Sequence, residues 1–226
     1  MLIEDWMASK LLTIDENTSV MRAMRMMKEN KVRRLPVLAH GKLVGMITDR
    51  DLKEASPAKT NSLDIHELNY LLAEMKVKEV MTPKLISMKH DETLEKAAIV
   101  MLQNKISGLP IMDENGNLVG LLSETDVVRG FIHATGIADG TLHYIMDLID
   151  QSGTTASIID ICRQHGAKLI SILTSYEDAP KGMKRVALRI ACPDDQQDSL
   201  NEKMAEAGTI IHSVKDKLQD LPQKQD

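Results

Sequence analysis

The sequence contains two copies of one pattern, 74 residues apart, and this duplication constrains the fold more than any other feature. The segment WMASKLLTIDENTSVMRAMRMMKENKVRRLPVL, from Trp6, aligns with VMTPKLISMKHDETLEKAAIVMLQNKISGLPIM, from Val80. One extra residue in DENGN then shifts the spacing to 75 for LVGMITDRD (43–51) and LVGLLSETD (118–126). Identical residues stand at Met7/Met81, Lys10/Lys84, Leu11/Leu85, Ala23/Ala97, Met27/Met101, Lys31/Lys105, Leu35/Leu109 and Pro36/Pro110.

Each copy carries the signals of a β-α-β-β-α unit. A short apolar strand leads into a helix that begins near Ser19 or Thr93, with apolar residues at helical spacing. A hairpin follows, and a second helix begins at Thr48 or Ser123. The predicted strands are residues 11–14, 35–38 and 44–47 in the first copy and 85–88, 109–112 and 119–122 in the second. Two such units in tandem predict one pseudo-symmetric domain.

The segments outside the repeats have different patterns. Residues 57–76 break at Pro57 and then carry an apolar stripe that predicts a linker helix, formed by Leu68, Leu71, Leu72 and Met75. After Gly140, strand and helix signals follow the order β-α-β-β-α-β, which is typical of a ferredoxin-like sandwich. We therefore predict a mixed α/β (α+β) protein with repeat 1 at 1–56, the linker helix at 57–76, repeat 2 at 77–135, a ferredoxin-like domain at 141–215 and a frayed polar tail at 216–226.

Composition argues against several classes of partner. A net charge of −5 and only 2% aromatic residues disfavour nucleic-acid binding. The N-terminal MLIEDWMASK lacks the basic and apolar regions of a signal peptide. No apolar segment approaches the roughly 18–20 residues that span a bilayer. We therefore expect a soluble, cytoplasmic protein without a nucleic-acid or membrane partner.

The sequence shows no recognisable catalytic or metal-binding motif. Cys162 and Cys192 lack C-x-x-C spacing, and the seven histidines have no H-E-x-x-H or similar arrangement. P-loop, G-x-S-x-G and G-x-G-x-x-G motifs are also missing from the sequence. We expect no catalytic residue, no metal and no required cofactor, which makes a non-enzymatic role the leading prediction.

The phrase that ends each copy has two interpretations. Thr48-x-x-Asp51 and Ser123-x-x-Asp126 resemble capping boxes, which stabilise a helix start by roughly 1 kcal/mol. Alternatively, each helix start faces a cleft, where the hydroxyl reaches a sugar or phosphate and the carboxylate accepts from both ribose hydroxyls. The duplicated strand-turn-helix context favours the second interpretation, and the two roles are compatible.

The segments LPVLAHGKLVGMITDRD and LPIMDENGNLVGLLSETD resemble tandem CBS domains, the Bateman module, over roughly residues 1–133. The resemblance implies two clefts between the repeats that bind AMP, ADP, ATP or S-adenosylmethionine as a regulatory ligand. By position, Asp51 and Asp126 would hold ribose, with Thr48 and Ser123 near sugar or phosphate. The resemblance also implies an adenine pocket lined by the backbone around Leu35, Pro36, Leu109 and Pro110, together with Leu11, Leu12, Thr13, Leu85, Ile86 and Ser87. Thr82 and Pro83 match the family's opening motif and count among the expected nucleotide-binding residues.

The two copies differ where this ligand would bind. Arg33 and Arg34 precede the first Leu-Pro pair, whereas Ser107 and Gly108 precede the second. Arg50 lies within the first T-x-x-D, where the second copy has threonine. These arginines either bind phosphates bidentately or are ordinary surface charges. We expect the two clefts to bind unequally.

The C-terminal segment DLIDQSGTTASIID resembles an ACT domain, and the resemblance covers roughly residues 141–215. It implies side-by-side pairing in a homodimer or higher homo-oligomer, with an amino acid bound near the first strand-to-helix turn. Asp150 and Gly153 match that turn, although a glycine before a helix is more often a simple turn. A CBS pair followed by an ACT domain is the arrangement of the acetoin-utilisation AcuB family, which implies a regulatory role linked to acetoin utilisation.

Three hypotheses follow. In the first, the protein is a non-catalytic sensor that binds an adenine nucleotide between the CBS repeats, with the ACT domain serving dimerisation or amino-acid sensing. In the second, both modules are oligomerisation scaffolds, and T/S-x-x-D only caps helices. The third is an unrecognised enzyme, for which a pocket with a dense cluster of perturbed-pKa groups would be the signature.

Overall fold

Both copies of the repeat fold into the same order of local elements. The structure, a computed structural model, describes residues 1–55 and 65–221, with only the backbone of 65–69 and 220. It divides into two units, Met1–Gly130 and Phe131–Asp226. The elements of the repeats and the linker are β1 (Ile14–Asp15), α1 (Val20–Asn30), β2 (Arg34–Ala39), β3 (Lys42–Thr48), α2 (Asp49–Ala55), α3 (Ile65–Glu74), α4 (Val77–Val80), β4 (Thr82–Pro83), β5 (Met88–Lys89), α5 (Leu94–Asn104), β6 (Gly108–Met112), β7 (Leu118–Ser123) and α6 (Glu124–Thr135).

The helices begin where the sequence predicts. The Ser19 hydroxyl accepts from the backbone N–H of Arg22, and the Thr93 hydroxyl accepts from that of Lys96, both at 3.4 Å. These side-chain caps satisfy backbone donors that have no partner within the helix. The predicted hairpins are also confirmed, since β2 pairs with β3 and β6 pairs with β7 in antiparallel register.

The strands predicted at residues 11–14 and 85–88 are shorter than expected. Only β1 and β5 form ladders, each running parallel to the following strand. Ile14 lies opposite Val37 and Met88 lies opposite Ile111. One residue earlier, each ladder would meet Pro36 or Pro110, whose backbone has no N–H to donate. Residues 11–13 and 85–87 therefore run outside the sheets.

The start of the chain packs into the second repeat. The N–H of Ile3 donates to the carbonyl of Glu92 at 2.9 Å, and Ala8 and Leu121 exchange two backbone hydrogen bonds of 3.0 Å. Ile3 is fully buried in the core formed by α5, β6, β7 and the start of α6. Residues 1–8 therefore complete the core of repeat 2.

The segment that precedes repeat 2 completes repeat 1 in the same way. The N–H of Val77 donates to the carbonyl of Thr18 at 2.8 Å, and Val77 is fully buried in the core of repeat 1. β4 then adds to the edge of β3. The predicted boundaries at 1–56 and 77–135 follow the sequence repeat, but the two cores exchange their leading segments.

Equivalent glycines admit the exchanged segments. A Cβ at Gly45 would lie 3.0 Å from the carbonyl oxygen of Thr82 and would also meet the Met81 side chain. A Cβ at Gly120 would overlap the side chain of Met7. A side chain at position 45 would meet the backbone of the crossing segment, whereas one at position 120 would meet only the flexible side chain of Met7.

The linker prediction is confirmed only in part. Residues 57–64, including Pro57, and the side chain of Leu68 lie outside the described part of the chain. Leu72 is buried and Met75 packs against the repeat 1 core. Leu71 is 42% exposed, so it does not share the burial of Leu72. The face of α3 that packs on repeat 1 is too narrow to cover both neighbouring leucines.

The second unit has the predicted ferredoxin-like order. Its four strands form one antiparallel sheet in the order β11-β8-β10-β9, and the two helices cover one face. The elements are β8 (Leu142–Ile149), α7 (Thr154–Gln164), β9 (Lys168–Ser175), β10 (Met183–Ala191), α8 (Gln197–Ala207) and β11 (Thr209–Lys215). Across residues 1–55 and 65–221, no helix is long and apolar enough to cross a membrane.

The prediction of a frayed tail at 216–226 is wrong for its first residue. Asp216 forms an ion pair with the largely buried Arg189 and accepts from the Thr141 hydroxyl at 2.8 Å. Its N–H also donates to the carbonyl of Thr141 at 2.8 Å. The charge of Arg189 holds the chain to the sheet at this point. Residues 222–226 lie outside the described part.

The exchange of leading segments predicts a specific stability change. Ile3→Ala should lower the free energy of unfolding by about 2–5 kcal/mol, because it removes a fully buried side chain. Its neighbour Leu2 is 39% exposed, and Leu2→Ala should change stability by no more than about 0.5 kcal/mol. Urea unfolding measures both. Hydrogen exchange should accelerate in α5, β6 and β7 of the Ile3→Ala protein, and acceleration confined to α1 and β2 would contradict the exchange.

Candidate functional site

A cleft in the first unit is lined by residues of both repeats. Its volume of about 530 Å³ lies within the roughly 300–1,000 Å³ typical of small-molecule sites. The lining residues are Arg33, Arg34, Met46, Thr48, Asp49, Arg50, Thr82, Lys84, Leu85, Ile86, Lys105, Ile106, Ser107, Gly108 and Pro110. A ligand in this cleft would touch both repeats at once.

Besides the start of β2 and the residue before it, which supply Arg34 and Arg33, three parts of the fold bring these residues together. The end of β3 and the start of α2 supply Thr48 and its neighbours. The turn after α5, which begins with Lys105 in the left-handed conformation (φ 54°), supplies Ser107 and Gly108. The third part is the segment from Thr82 to Ile86, which begins with β4 on the edge of repeat 1. The exchanged segment therefore forms one wall of the cleft.

The first T-x-x-D forms the predicted cap. Oδ2 of Asp51 accepts from both the N–H and the hydroxyl of Thr48, each at 2.8 Å. The Thr48 hydroxyl oxygen in turn accepts from the N–H of Asp51 at 3.3 Å. This reciprocal arrangement is a capping box, so the capping interpretation is confirmed for α2. Thr48 lines the cleft, and Asp51 holds its hydroxyl hydrogen.

The second copy has the same arrangement with one difference. Oδ2 of Asp126 accepts from the N–H and hydroxyl of Ser123 at 3.0 and 2.6 Å. The N–H of Asp126 donates back to the Ser123 hydroxyl at 3.3 Å. In addition, Nη1 of Arg129 lies 3.3 Å from Oδ1 of Asp126. The capping interpretation is therefore confirmed for α6 as well, and here an arginine also occupies the second carboxylate oxygen.

Arg34 reaches from repeat 1 to repeat 2 across the cleft. Its Nη2 donates to the Ser107 hydroxyl at 3.1 Å, and a Cβ at Gly108 would overlap its guanidinium. Burial lowers the pKa of Arg34, as does the charge of Arg33 to a lesser degree, whereas Glu124, Asp126 and Asp49 act in the opposite direction. An arginine stays charged under these influences, so the cleft contains a fixed, partly buried cation.

Four further basic side chains line the cleft, namely Arg33, Arg50, Lys84 and Lys105. Arg50 is 84% exposed and lies 3.2 Å from Glu54. Asp49 is the acidic side chain in the lining, and it pairs with Lys53 at 3.2 Å. The lining therefore carries a surplus of positive charge, although the whole chain is acidic.

The structure brings part of the predicted nucleotide site together. The predicted residues in the lining are Arg33, Arg34, Thr48, Arg50, Thr82, Leu85, Ile86, Ser107, Gly108 and Pro110. The other predicted residues are not among those lining this cleft: Leu11, Leu12, Thr13, Leu35, Pro36, Asp51, Pro83, Ser87, Leu109, Ser123 and Asp126. The side chains of Leu35 and Leu109 are fully buried in the repeat cores. A ligand role for any of these residues stays a prediction.

Sequence reasoning missed several lining residues: Met46, Asp49, Lys84, Lys105 and Ile106. Lys84 directly follows Thr82-Pro83, and Lys105 directly follows α5. Their positions beside already predicted residues were a usable signal. Their lysine side chains gave no motif that would separate them from other surface charges.

In the second unit, Asp150 and Gly153 lie in the turn between β8 and α7. Gly153 has a φ of 90° and precedes the first residue of α7, so the turn needs a glycine. Oδ1 of Asp150 lies 3.7 Å from Nζ of Lys184, which is only 9% exposed. Amino-acid binding at this turn stays a prediction. Among the described side chains, no group of three or more His, Cys, Asp or Glu could hold a metal ion.

Comparison with protein families matches the CBS domain to residues 3–58 and 77–133, half of the chain. The chain belongs to the CBS domain family. The matched ranges cover both repeats, so the first unit contains a CBS pair.

Curated relatives of this CBS pair include an uncharacterized protein of Methanocaldococcus jannaschii, MJ1225, 33% identical over 129 residues, which are 54% of this chain and 46% of that protein. A second protein of that organism, MJ1426, is 31% identical over 155 residues, 58% of this chain and 92% of its own length. The CBS domain-containing protein YhcV of Bacillus subtilis is 33% identical over 125 residues, 55% of this chain and 81% of its own length. The chain thus spans less than half of the first relative and most of the other two.

Two similar solved structures with a TM-score of 0.50 have the same fold as the first unit. The CBS-pair protein CBSX2 from Arabidopsis thaliana has a TM-score of 0.50 at 31% identity, covering 61% of this chain and 98% of that one. CBSX2 has also been solved in complex with AMP, with a TM-score of 0.48 at 32% identity and coverage of 58% and 96%. A CBS-domain protein from Agrobacterium tumefaciens has a TM-score of 0.50 at 21% identity, covering 58% of this chain and 99% of its own.

The two capping boxes predict matched losses of stability. Asp51→Ala and Asp126→Ala should each lower the free energy of unfolding by about 0.5–2 kcal/mol, because each removes the acceptor that holds a helix start. Asp91→Ala, an exposed carboxylate outside both motifs, should change it by less than about 0.5 kcal/mol. Chemical denaturation in the absence of ligand measures all three. Equal stability of the wild type and the Asp51→Ala protein would contradict the cap.

Proposed function

We propose that this protein is a non-catalytic regulatory sensor that binds an adenine nucleotide in the cleft between its CBS repeats. The observation that carries the proposal is the cleft of about 530 Å³ whose walls come from both repeats and include a capped helix start and basic side chains. AMP, ADP, ATP and S-adenosylmethionine are the candidate ligands. CBSX2, a CBS-pair protein 31% identical to this chain, has been solved in complex with AMP, and this supports a nucleotide as the ligand.

The capping boxes support a sugar-binding role without requiring a new conformation. The Thr48 hydroxyl donates to Asp51, so its oxygen is oriented as an acceptor on the wall of the cleft. Oδ2 of Asp51 is engaged by the cap. Asp51 is not among the residues that line the cleft, and we propose that ribose reaches its Oδ1 beside Thr48. In the second copy, Arg129 competes for the corresponding oxygen of Asp126. This difference supports unequal binding by the two halves.

No single contact suffices for useful affinity. A charge-assisted hydrogen bond contributes about 1.5–3 kcal/mol, whereas micromolar binding needs about 8 kcal/mol. Contacts of adenine with Leu85, Ile86 and Pro110, together with phosphate contacts to the basic side chains, supply the remainder in our proposal. Because these residues belong to both repeats, a ligand that prefers one packing of the pair shifts the equilibrium towards it. That shift is the regulatory output.

Calorimetry tests the site assignment. Wild-type protein titrated with AMP, ATP and S-adenosylmethionine should bind at least one of them, and Asp51→Ala should weaken that binding about tenfold or more, because it removes the proposed ribose acceptor. Asp126→Ala should weaken it less, and Asp91→Ala should leave it unchanged. If none of the three compounds binds, or if both motif variants bind like wild type, the assignment is falsified. The scaffold alternative, in which the motifs only cap helices, then takes its place.

We further propose that the second unit is an ACT domain that pairs with a second copy and binds an amino acid at the turn between β8 and α7. Its ferredoxin-like sheet order supports this, as do the open space at Gly153 and the ion pair of Asp150 with Lys184. A carboxylate ligand would then meet the Lys184 cation in place of Asp150. The link to acetoin utilisation, and assembly as a homodimer or higher homo-oligomer, belong to the same proposal.

An amino-acid screen tests the second unit. At least one common L-amino acid at millimolar concentration should raise the melting temperature of the wild-type protein, because a ligand that binds only the folded state stabilises it. The shift should be lost in Lys184→Met and kept in Lys181→Met, an exposed lysine nearby. Light scattering with and without that amino acid reports the oligomeric state. If no amino acid shifts the melting temperature, the second unit has no such ligand.

A further inference from the structure

The charge of the cleft is opposite to that of the protein. Five basic side chains and one acidic side chain line it, whereas the whole chain has a net charge of −5. Acidic residues elsewhere offset part of this surplus, since Glu54 pairs with Arg50 and both Glu124 and Asp126 act on Arg34. Arg33, Lys84 and Lys105 add to the positive charge around the same space.

Arg34 and Gly108 occupy equivalent positions in the two repeats, 74 residues apart, and the structure brings them into contact. The guanidinium of Arg34 fills the space that a side chain at position 108 would take. Two arginines could not occupy this place together, and two glycines would leave it without a cation. The pair therefore presents one arginine to the cleft, and the Ser107 hydroxyl accepts from one of its nitrogens.

The backbone conformation of Lys84 also indicates a ligand site at this cleft. It has a left-handed φ of 56°, which is uncommon for a residue with a Cβ. Lys105 has a similar φ because it ends α5, but Lys84 follows β4 and has no such helix-capping role. Backbone outliers of this kind concentrate at ligand sites. Here the outlier directs the chain so that Lys84 lines the cleft beside Leu85.

We infer that the cleft selects nucleotides by the number of their phosphates, and that Arg34 is the residue that determines this specificity. The inference rests on the proposed nucleotide-binding function and narrows it to phosphate-rich ligands. A planar guanidinium binds phosphate oxygens with two parallel hydrogen bonds. Each added phosphate meets further cations of the lining. S-Adenosylmethionine brings a sulfonium cation and no phosphate into the same positive surroundings, so it binds weakly.

Calorimetry with adenosine, AMP, ATP, S-adenosylmethionine and inorganic tripolyphosphate tests this order. Affinity should rise from adenosine to AMP to ATP, with ATP at least about tenfold tighter than adenosine. Added salt should weaken ATP binding more than adenosine binding, since screening acts on charges. Arg34→Ala should lower ATP affinity about tenfold or more and leave adenosine affinity within about threefold.

Gly108→Ala tests whether the position of the Arg34 guanidinium matters, and not only its charge. The new methyl group displaces the Arg34 guanidinium, and Gly108 has no left-handed φ that would strain an alanine. This variant should lose ATP affinity as Arg34→Ala does, although its charge is unchanged. Arg25→Ala, which removes an exposed arginine of α1 outside the lining, should bind ATP like wild type.

The outcomes distinguish this inference from the proposed function. If adenosine compounds bind but ATP is no tighter than adenosine, or S-adenosylmethionine is the tightest, the phosphate selection is overturned and nucleotide binding stands. If tripolyphosphate binds in an Arg34-dependent way and no adenosine compound does, the charge selection stands and the nucleotide function falls. If no probe binds, both are lost.

Discussion

The exchange of leading segments between the two repeats is the constraint on which the first unit depends. Ile3 completes the core of repeat 2, and Val77 completes the core of repeat 1. Neither repeat buries its core with its own sequence copy alone. The same exchange lays residues 82–86 along repeat 1 and so forms a wall of the cleft. The segment that completes the core of repeat 1 therefore continues into the wall of the candidate ligand site.

The cleft lies between two similar repeats, and the residues that differ between the repeats make its two sides chemically different. The caps at Thr48 and Ser123 are nearly superimposable in their hydrogen bonds, because the same local sequence repeats. Where the two copies contact each other, equivalent residues face one another, and two large side chains would not fit there. Arg34 uses the space that Gly108 leaves empty. A site built from two equivalent repeats can thus become asymmetric when one repeat has a large residue, such as Arg34, and the other has a small one, such as Gly108.

Local signals in the sequence predicted local structure well. The caps at Ser19 and Thr93, the hairpins and the β-α-β-β-α-β order after Gly140 follow from residue type and spacing within a few turns of chain. The segment exchange was not predictable in this way, because periodicity does not say which copy an apolar residue such as Ile3 packs against. Lys84 and Lys105 were missed for the same reason, since their place in the cleft depends on long-range packing. The contrast of Arg34 with Gly108 was visible in the sequence, but their contact was not.

The exchange of leading segments also affects the order in which the chain can fold during synthesis. The residues around Ile3 have their backbone partners much later in the chain, near Glu92 and Leu121. The core of repeat 1 cannot form completely until Val77 has been synthesised. The segment around Ile3 therefore remains without its final partners until most of the first unit has been synthesised. We expect the first unit to fold late and cooperatively. A truncated nascent chain with only one complete sequence copy should therefore gain little stability.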